Sequence, residues 1–175
     1  MTDAVPPVAA VPPGHTPWDA ARVEAVYRAL NALLPSLPEF GDRAVSPQEF
    51  QRHLFAVQHA RQAADRAYVR VTQKLGEQRR HVEILKQNLR LAEVWAAEEP
   101  SVLEARSAAG RRRLVEQAVA PERTALALAT ANLRRLESVL EAVKSTVASL
   151  ENARITVNSA INLAVAEMKL VRSVV

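Results

Sequence analysis

Four histidines and nineteen carboxylates are the groups in this 175-residue chain that could do acid–base or metal chemistry. The histidines are His15, His53, His59 and His81. Glu49 with His53 and Glu77 with His81 are pairs four residues apart. A di-iron helical bundle needs Glu and His three apart, and that spacing does not occur here. The two pairs therefore read as surface contacts. There is no cysteine, which removes disulfides, thiolate ligands and thiol nucleophiles. Four scattered glycines build neither a phosphate-binding loop nor a dinucleotide fingerprint. The expectation is a non-enzymatic protein with no catalytic residues, metal or cofactor.

The remaining chemistry is cationic. Arg52, Arg66 and Arg80 recur every 14 residues, or ~21 Å along a helix. His59 shares their row, Arg70 and Arg79 flank it, and Arg111, Arg112 and Arg113 form a second cluster. The net charge of +4 is unevenly placed: residues 48–90 hold nine basic and four acidic side chains, whereas residues 91–151 hold eight and nine. A row of guanidiniums can follow a phosphate backbone with little sequence preference and strong salt sensitivity. The competing reading is a solvated coiled-coil surface, because outer positions are ordinarily charged. Aromatics are 4% of the chain, so a deep base-binding groove is not expected.

The elements that must carry these residues are helices. Apolar residues make up 49%, dominated by Ala, Val and Leu. Residues 1–15 are Pro/Ala-rich without periodicity and read as a disordered or extended arm. In residues 16–45, Thr16, Pro17 and Asp19 start a short helix that runs to about Leu34, followed by a loop. Residues 46–175 read as a long helical hairpin. Ser46-Pro47-Gln48-Glu49 is a capping box. From there Phe50, Leu54, Val57, Ala64, Tyr68, Val71, Leu75, Val82, Leu85, Leu89 and Ala92 alternate steps of four and three, with Arg61 and Gln78 as polar exceptions. Pro100 ends this arm. Ser101 to Glu104 spell another capping box, Gly110 a break, and Pro121 a boundary. A second seam runs from Leu126 through Leu133, Leu140, Val147 and Ile161 to Met168 and Val171, with Arg154 its polar member. Two such arms fold back as an antiparallel coiled coil.

Each arm is more apolar than one seam requires. Phe55, Val69, Ile84 and Leu91 lie off the first seam, and Leu128, Val139, Ile155, Leu163, Val165, Leu170 and Val174 off the second. A helix contacted on two sides explains the excess. Oligomerisation through Phe55, Val69, Ile84, Leu91, Ile155, Leu163, Val165 and Leu170 is the preferred account. Cover by the short N-terminal helix is the alternative. Arg154 either fixes register in the seam or snorkels outward.

Residues 107–168, from SAAGRRRLVEQ to Arg154, Ile161 and Met168, combine a polar basic turn, a long helix of spaced apolar residues and a Met-containing tail. With the Arg-rich arm FQRHLFAVQHARQAADRAYVRVTQKLGEQRRHVEILK, this pattern resembles phage UvsY-type recombination mediators over roughly residues 46–170. The resemblance implies a homo-oligomer that binds single-stranded DNA. It also implies contact with a single-strand-binding protein and help in loading a RecA-like recombinase, without nucleotide hydrolysis. The alternative is a structural or scaffolding coiled coil, such as a phage assembly component. MTDAVPPVAAVPPGH has no basic start and is broken by prolines, unlike a secretory signal, and no window carries ~18 uninterrupted apolar residues. The expected setting is a cytoplasm (the bacterial host's if phage-encoded), with no membrane partner.

Overall fold

The computed structural model describes residues 18–35 and 46–174. The Pro/Ala-rich arm, Thr16, Pro17 and most of the first loop lie outside that range, as do the side chains of residues 171–174, Val171 and Val174 among them. Every regular element among the described residues is a helix: α1 Ala20–Asn31, α2 Pro47–Glu98, α3 Pro100–Leu103, α4 Ala108–Ala118 and α5 Ala120–Val174. The chain divides into two compact units. Among the described residues, the first comprises 18–19 and 74–136, the second 20–35, 46–73 and 137–174.

α2 starts as the sequence dictates. The Ser46 N–H donates to Glu49 Oε2 at 2.8 Å, and the Glu49 N–H donates to Ser46 Oγ at 3.3 Å. This reciprocal pair satisfies donors that a helix start leaves open. Pro100 ends the helix by holding Glu99 extended, at φ −60° and ψ 136°.

The connection behaves differently from its sequence signals. Ser101 does not cap. Its hydroxyl lies 3.3 Å from Glu99 Oε2, within a single helical turn that closes at Leu103. Gly110 is not a break. It lies in the first turn of α4, where its N–H donates to the cap Ser107 Oγ at 3.0 Å. A Cβ at Gly110 would sit 3.1 Å from that hydroxyl, a tight contact that the Ser107 side chain would have to yield to. α5 starts at Ala120, beside the expected boundary at Pro121 and six residues before the seam begins at Leu126. Pro121 is tolerated because a first-turn N–H has no intrahelical acceptor.

Within the first unit, Gln78 Nε2 donates to the Ala129 carbonyl at 3.0 Å, and Arg123 donates to Glu93 at 3.2 Å. Rising numbers on α2 meet falling numbers on α5, so these segments are antiparallel. Gln78 is buried, and its bond to Ala129 explains how a polar side chain sits in the seam.

The second unit repeats the direction. Arg61 donates to Glu151 at 3.0 Å, and Tyr68 lies within electrostatic range of Lys144. Ala60, Ala64 and Leu150 form a buried cluster, against which Leu33 and Val147 pack. α1 closes the same region: Leu30 is buried, and Tyr27 Oη lies 2.8 Å from Ser138 Oγ. The neighbouring Val139 is 0% exposed. For this off-seam residue, cover by the short helix is the account that fits, since α1 lies alongside this stretch of α5.

Arg154 takes the outward one of its two expected roles, and two seam expectations change. Arg154 is exposed and turns to its own helix, donating to Glu151 Oε1 at 2.6 Å. Tyr68 stands partly out of the seam, where its hydroxyl retains water. Met168 is exposed because α2 begins too late to meet it. Pro47 lies fourteen residues before Arg61, so its counterpart on α5 lies about fourteen after Glu151, near Val165.

Leu150→Ala should lower the unfolding free energy by about 2–5 kcal/mol. Leu163→Ala, on the exposed side, should change it little in urea titrations at low protein concentration. Gly76 lies inside α2, and a Cβ added there would meet nothing within 4 Å. Gly76→Ala should therefore raise stability by ~0.5–1 kcal/mol in the same assay.

Candidate nucleic-acid interface

The second unit places a continuous outer row on α2. Gln48, Arg52, Phe55, His59, Gln62, Arg66, Val69 and Gln73 alternate steps of four and three, and every one is exposed. The buried row Phe50, Val57, Ala64 and Val71 follows the same rhythm two residues later. Two residues rotate a helix by about 200°, so the outer row faces away from the seam. Arg70 adds a third exposed guanidinium beside it.

No carboxylate belongs to this row. Among the described residues, Arg52, Arg66 and Arg70 form no ion pair. Several cations elsewhere are neutralised, whereas Arg90, Arg112, Arg113 and Arg134 are likewise exposed without an ion pair. Lys74, Lys86 and Lys144 each lie 2.7 Å from a glutamate one turn away, namely Glu77, Glu83 and Glu141. Arg61 is held between Asp65 and Glu151. The acids that border the outer row are Glu49 and Asp65; Glu49 accepts from the Ser46 N–H and Asp65 is engaged by Arg61. The three outer arginines retain an uncompensated positive field, the condition under which a helix face attracts a polyanion.

Phe55 is 69% exposed in the middle of this row. The sequence-level expectation placed Phe55 with the oligomer contacts and held the basic face poor in aromatics. The structure puts the phenyl ring one turn from Arg52 and on the same row as Arg66. The heptad spacing already contains this coincidence, because Phe55 lies three residues after Arg52 and four before His59.

The first unit holds the other basic candidates. Arg79 and Arg80 are exposed on α2, and Arg80 Nε lies 3.4 Å from the Gly76 carbonyl. Arg111, Arg112 and Arg113 are exposed on α4. Arg111 and Arg112 line an open cleft of about 400 Å³ with Val102, Leu103 and Val115, and Glu93, Glu116 and Arg123 also border it. Arg111 donates to the Ala105 carbonyl at 3.0 Å, and Arg123 is paired with Glu93. This cleft is thus less strongly cationic than the run of three arginines suggests. The structure does not gather the eight basic candidates into one pocket.

The residues assigned to self-association are all exposed: Ile84 and Leu91 in the first unit, and Phe55, Val69, Ile155, Leu163, Val165 and Leu170 in the second. Exposed Trp95, Val94 and Leu103 in the first unit escaped the sequence reading. Trp95 and Val94 sit just before Pro100, where the heptad pattern was hardest to follow. Among the described residues, no group of three His, Asp or Glu side chains could hold a metal, and no helix is long and apolar enough to cross a membrane.

Comparison with protein-family models, curated proteins and solved structures finds no match to this chain.

Glu151 links the electrostatics of the second unit. Its hydrogen bond from Arg154 holds the carboxyl below its ordinary value, and the charges of Arg154 and Arg61 add to this against some desolvation. A lowered carboxyl value stabilises the fold above the unfolded value, and that contribution is lost as pH falls through the folded one. The stability difference between the native chain and Glu151→Gln should be constant from neutral pH to the usual carboxylate range. It should vanish below that range in denaturant titrations run at successive pH values.

Proposed function

We propose that this protein is an oligomeric accessory factor that binds single-stranded DNA along the outer face of α2. Its place in DNA recombination, helping to load a RecA-like recombinase alongside a single-strand-binding protein, follows from the resemblance to UvsY-type mediators. The observation that supports DNA binding is the exposed, carboxylate-free row on α2. Arg52, Arg66 and Arg70 stand exposed on a face without carboxylates, whereas Lys74, Lys86 and Lys144 are paired with adjacent glutamates. Self-association is supported by exposed Ile155, Leu163 and Leu170 on α5, a quantity of apolar surface that water does not favour. The same residues favour the second reading, a structural coiled coil that assembles through α5 and binds no nucleic acid.

Binding of labelled oligothymidine at ~50 mM salt separates the two, because a backbone-tracking protein binds tightest at low salt. Arg66→Ala should reduce the slope of log affinity against log salt by about 0.7, the amount for one single-strand phosphate contact. The combined change Arg52→Glu, Arg66→Glu and Arg80→Glu should abolish binding and leave the mass in solution unchanged. Absence of binding by the native chain overturns the DNA reading. A monomer at micromolar concentration overturns self-association.

A further inference from the structure

We infer that Phe55 is a base-stacking platform within the α2 outer face and does not belong to the self-association surface; this rests on the single-stranded DNA reading. Three observations carry it. Phe55 is 69% exposed, the most exposed of the large apolar side chains described. It lies opposite the buried Val57 and Ala64 row, so neither the seam nor the buried cluster has a use for it. Its neighbours along the row are Arg52, His59, Gln62 and Arg66, all exposed, with no carboxylate among them.

The chemistry of that set selects its ligand. A second copy of the same face would bring arginines against arginines, so an isologous contact here would be repulsive. An acidic protein segment would satisfy the guanidiniums but has no requirement for a flat ring. A single strand of nucleic acid uses both features. Its phosphates meet Arg52 and Arg66, and an unpaired base lies on the phenyl ring, which accepts any base because every base has a π face. Glutamine amides beside the ring add donors and acceptors for base edges without fixing a sequence. Arg52 to Arg70 spans ~27 Å of helix, enough for a strand to run along the face. Double-stranded DNA keeps its bases stacked internally and cannot use the ring. Of the self-association residues, Val69 shares this row, whereas Ile155, Leu163 and Leu170 are grouped on α5.

The test compares native protein, Phe55→Ala and Phe55→Tyr with three probes: oligothymidine, an abasic strand of equal length and duplex DNA. The expected result is an affinity for oligothymidine lowered about 5- to 100-fold in Phe55→Ala, restored in Phe55→Tyr. Affinities for the abasic strand and duplex, the salt slope and the mass in solution should be unchanged. Phe55 is mostly exposed, so its loss should not disturb folding. If native protein binds oligothymidine and Phe55→Ala binds it equally well, the stacking role is overturned while the DNA reading stands. If Phe55→Ala loses assembly, Phe55 is an oligomer contact and the inference fails. If native protein binds no strand at ~50 mM salt, both readings fail together.

Discussion

The packing of small apolar side chains between antiparallel segments of α2 and α5 is the constraint on which the rest of the structure depends. The fully buried residues of these helices are Val57, Leu136, Val139, Val143, Leu150 and Val157, supplemented by Ala60, Ala64 and Ala129. Such a seam consumes one narrow face of each helix. It leaves the opposite faces in water, and the character of those faces decides what the protein can engage. On the second unit's part of α2, that face is cationic and carries an aromatic ring. On the C-terminal part of α5, it is apolar. The proposed division of labour between DNA binding and assembly rests on this difference.

Polar residues at seam positions show how the fold tolerates interruptions. Gln78 is buried because the Ala129 carbonyl accepts its amide proton. Arg61 reaches Glu151 across the second unit and Asp65 along its own helix. Surface ion pairs contribute little individually, so the Lys–Glu pairs matter less for stability than for field. They neutralise Lys74, Lys86 and Lys144, whereas the outer arginines of α2 stay unpaired on their face.

The helical architecture was legible in the sequence wherever periodicity and capping acted together. Ser46 and Glu49 set the start of α2, and Pro100 set its end. The alternating steps of four and three located the buried Val57, Ala64, Val71, Leu75 and Val82. Legibility failed where a local signal competed with chain geometry. Ser101 and Glu104 match a capping box, but Pro100 had already begun the turn. Gly110 looks like a breaker, yet it serves the Ser107 cap. Met168 fits the seam periodicity, but no α2 residue lies opposite it. Val139 was legible as surplus to a two-helix seam, but which of the two expected covers buries it required the position of α1. The candidate site was legible as a list of arginines. That Phe55 shares their face required putting two separate residue lists onto one helix surface, and the pairing state of each cation required side-chain positions.

Ultraviolet cross-linking of the native protein to oligothymidine, with the adducts mapped by mass spectrometry, tests the central assignment most directly. The account predicts adducts within residues 48–73, centred on Phe55, and none on α5 between residues 137 and 174. Adducts confined to α5 or to the Arg111–Arg113 segment, on a protein whose helical content is intact, would contradict it.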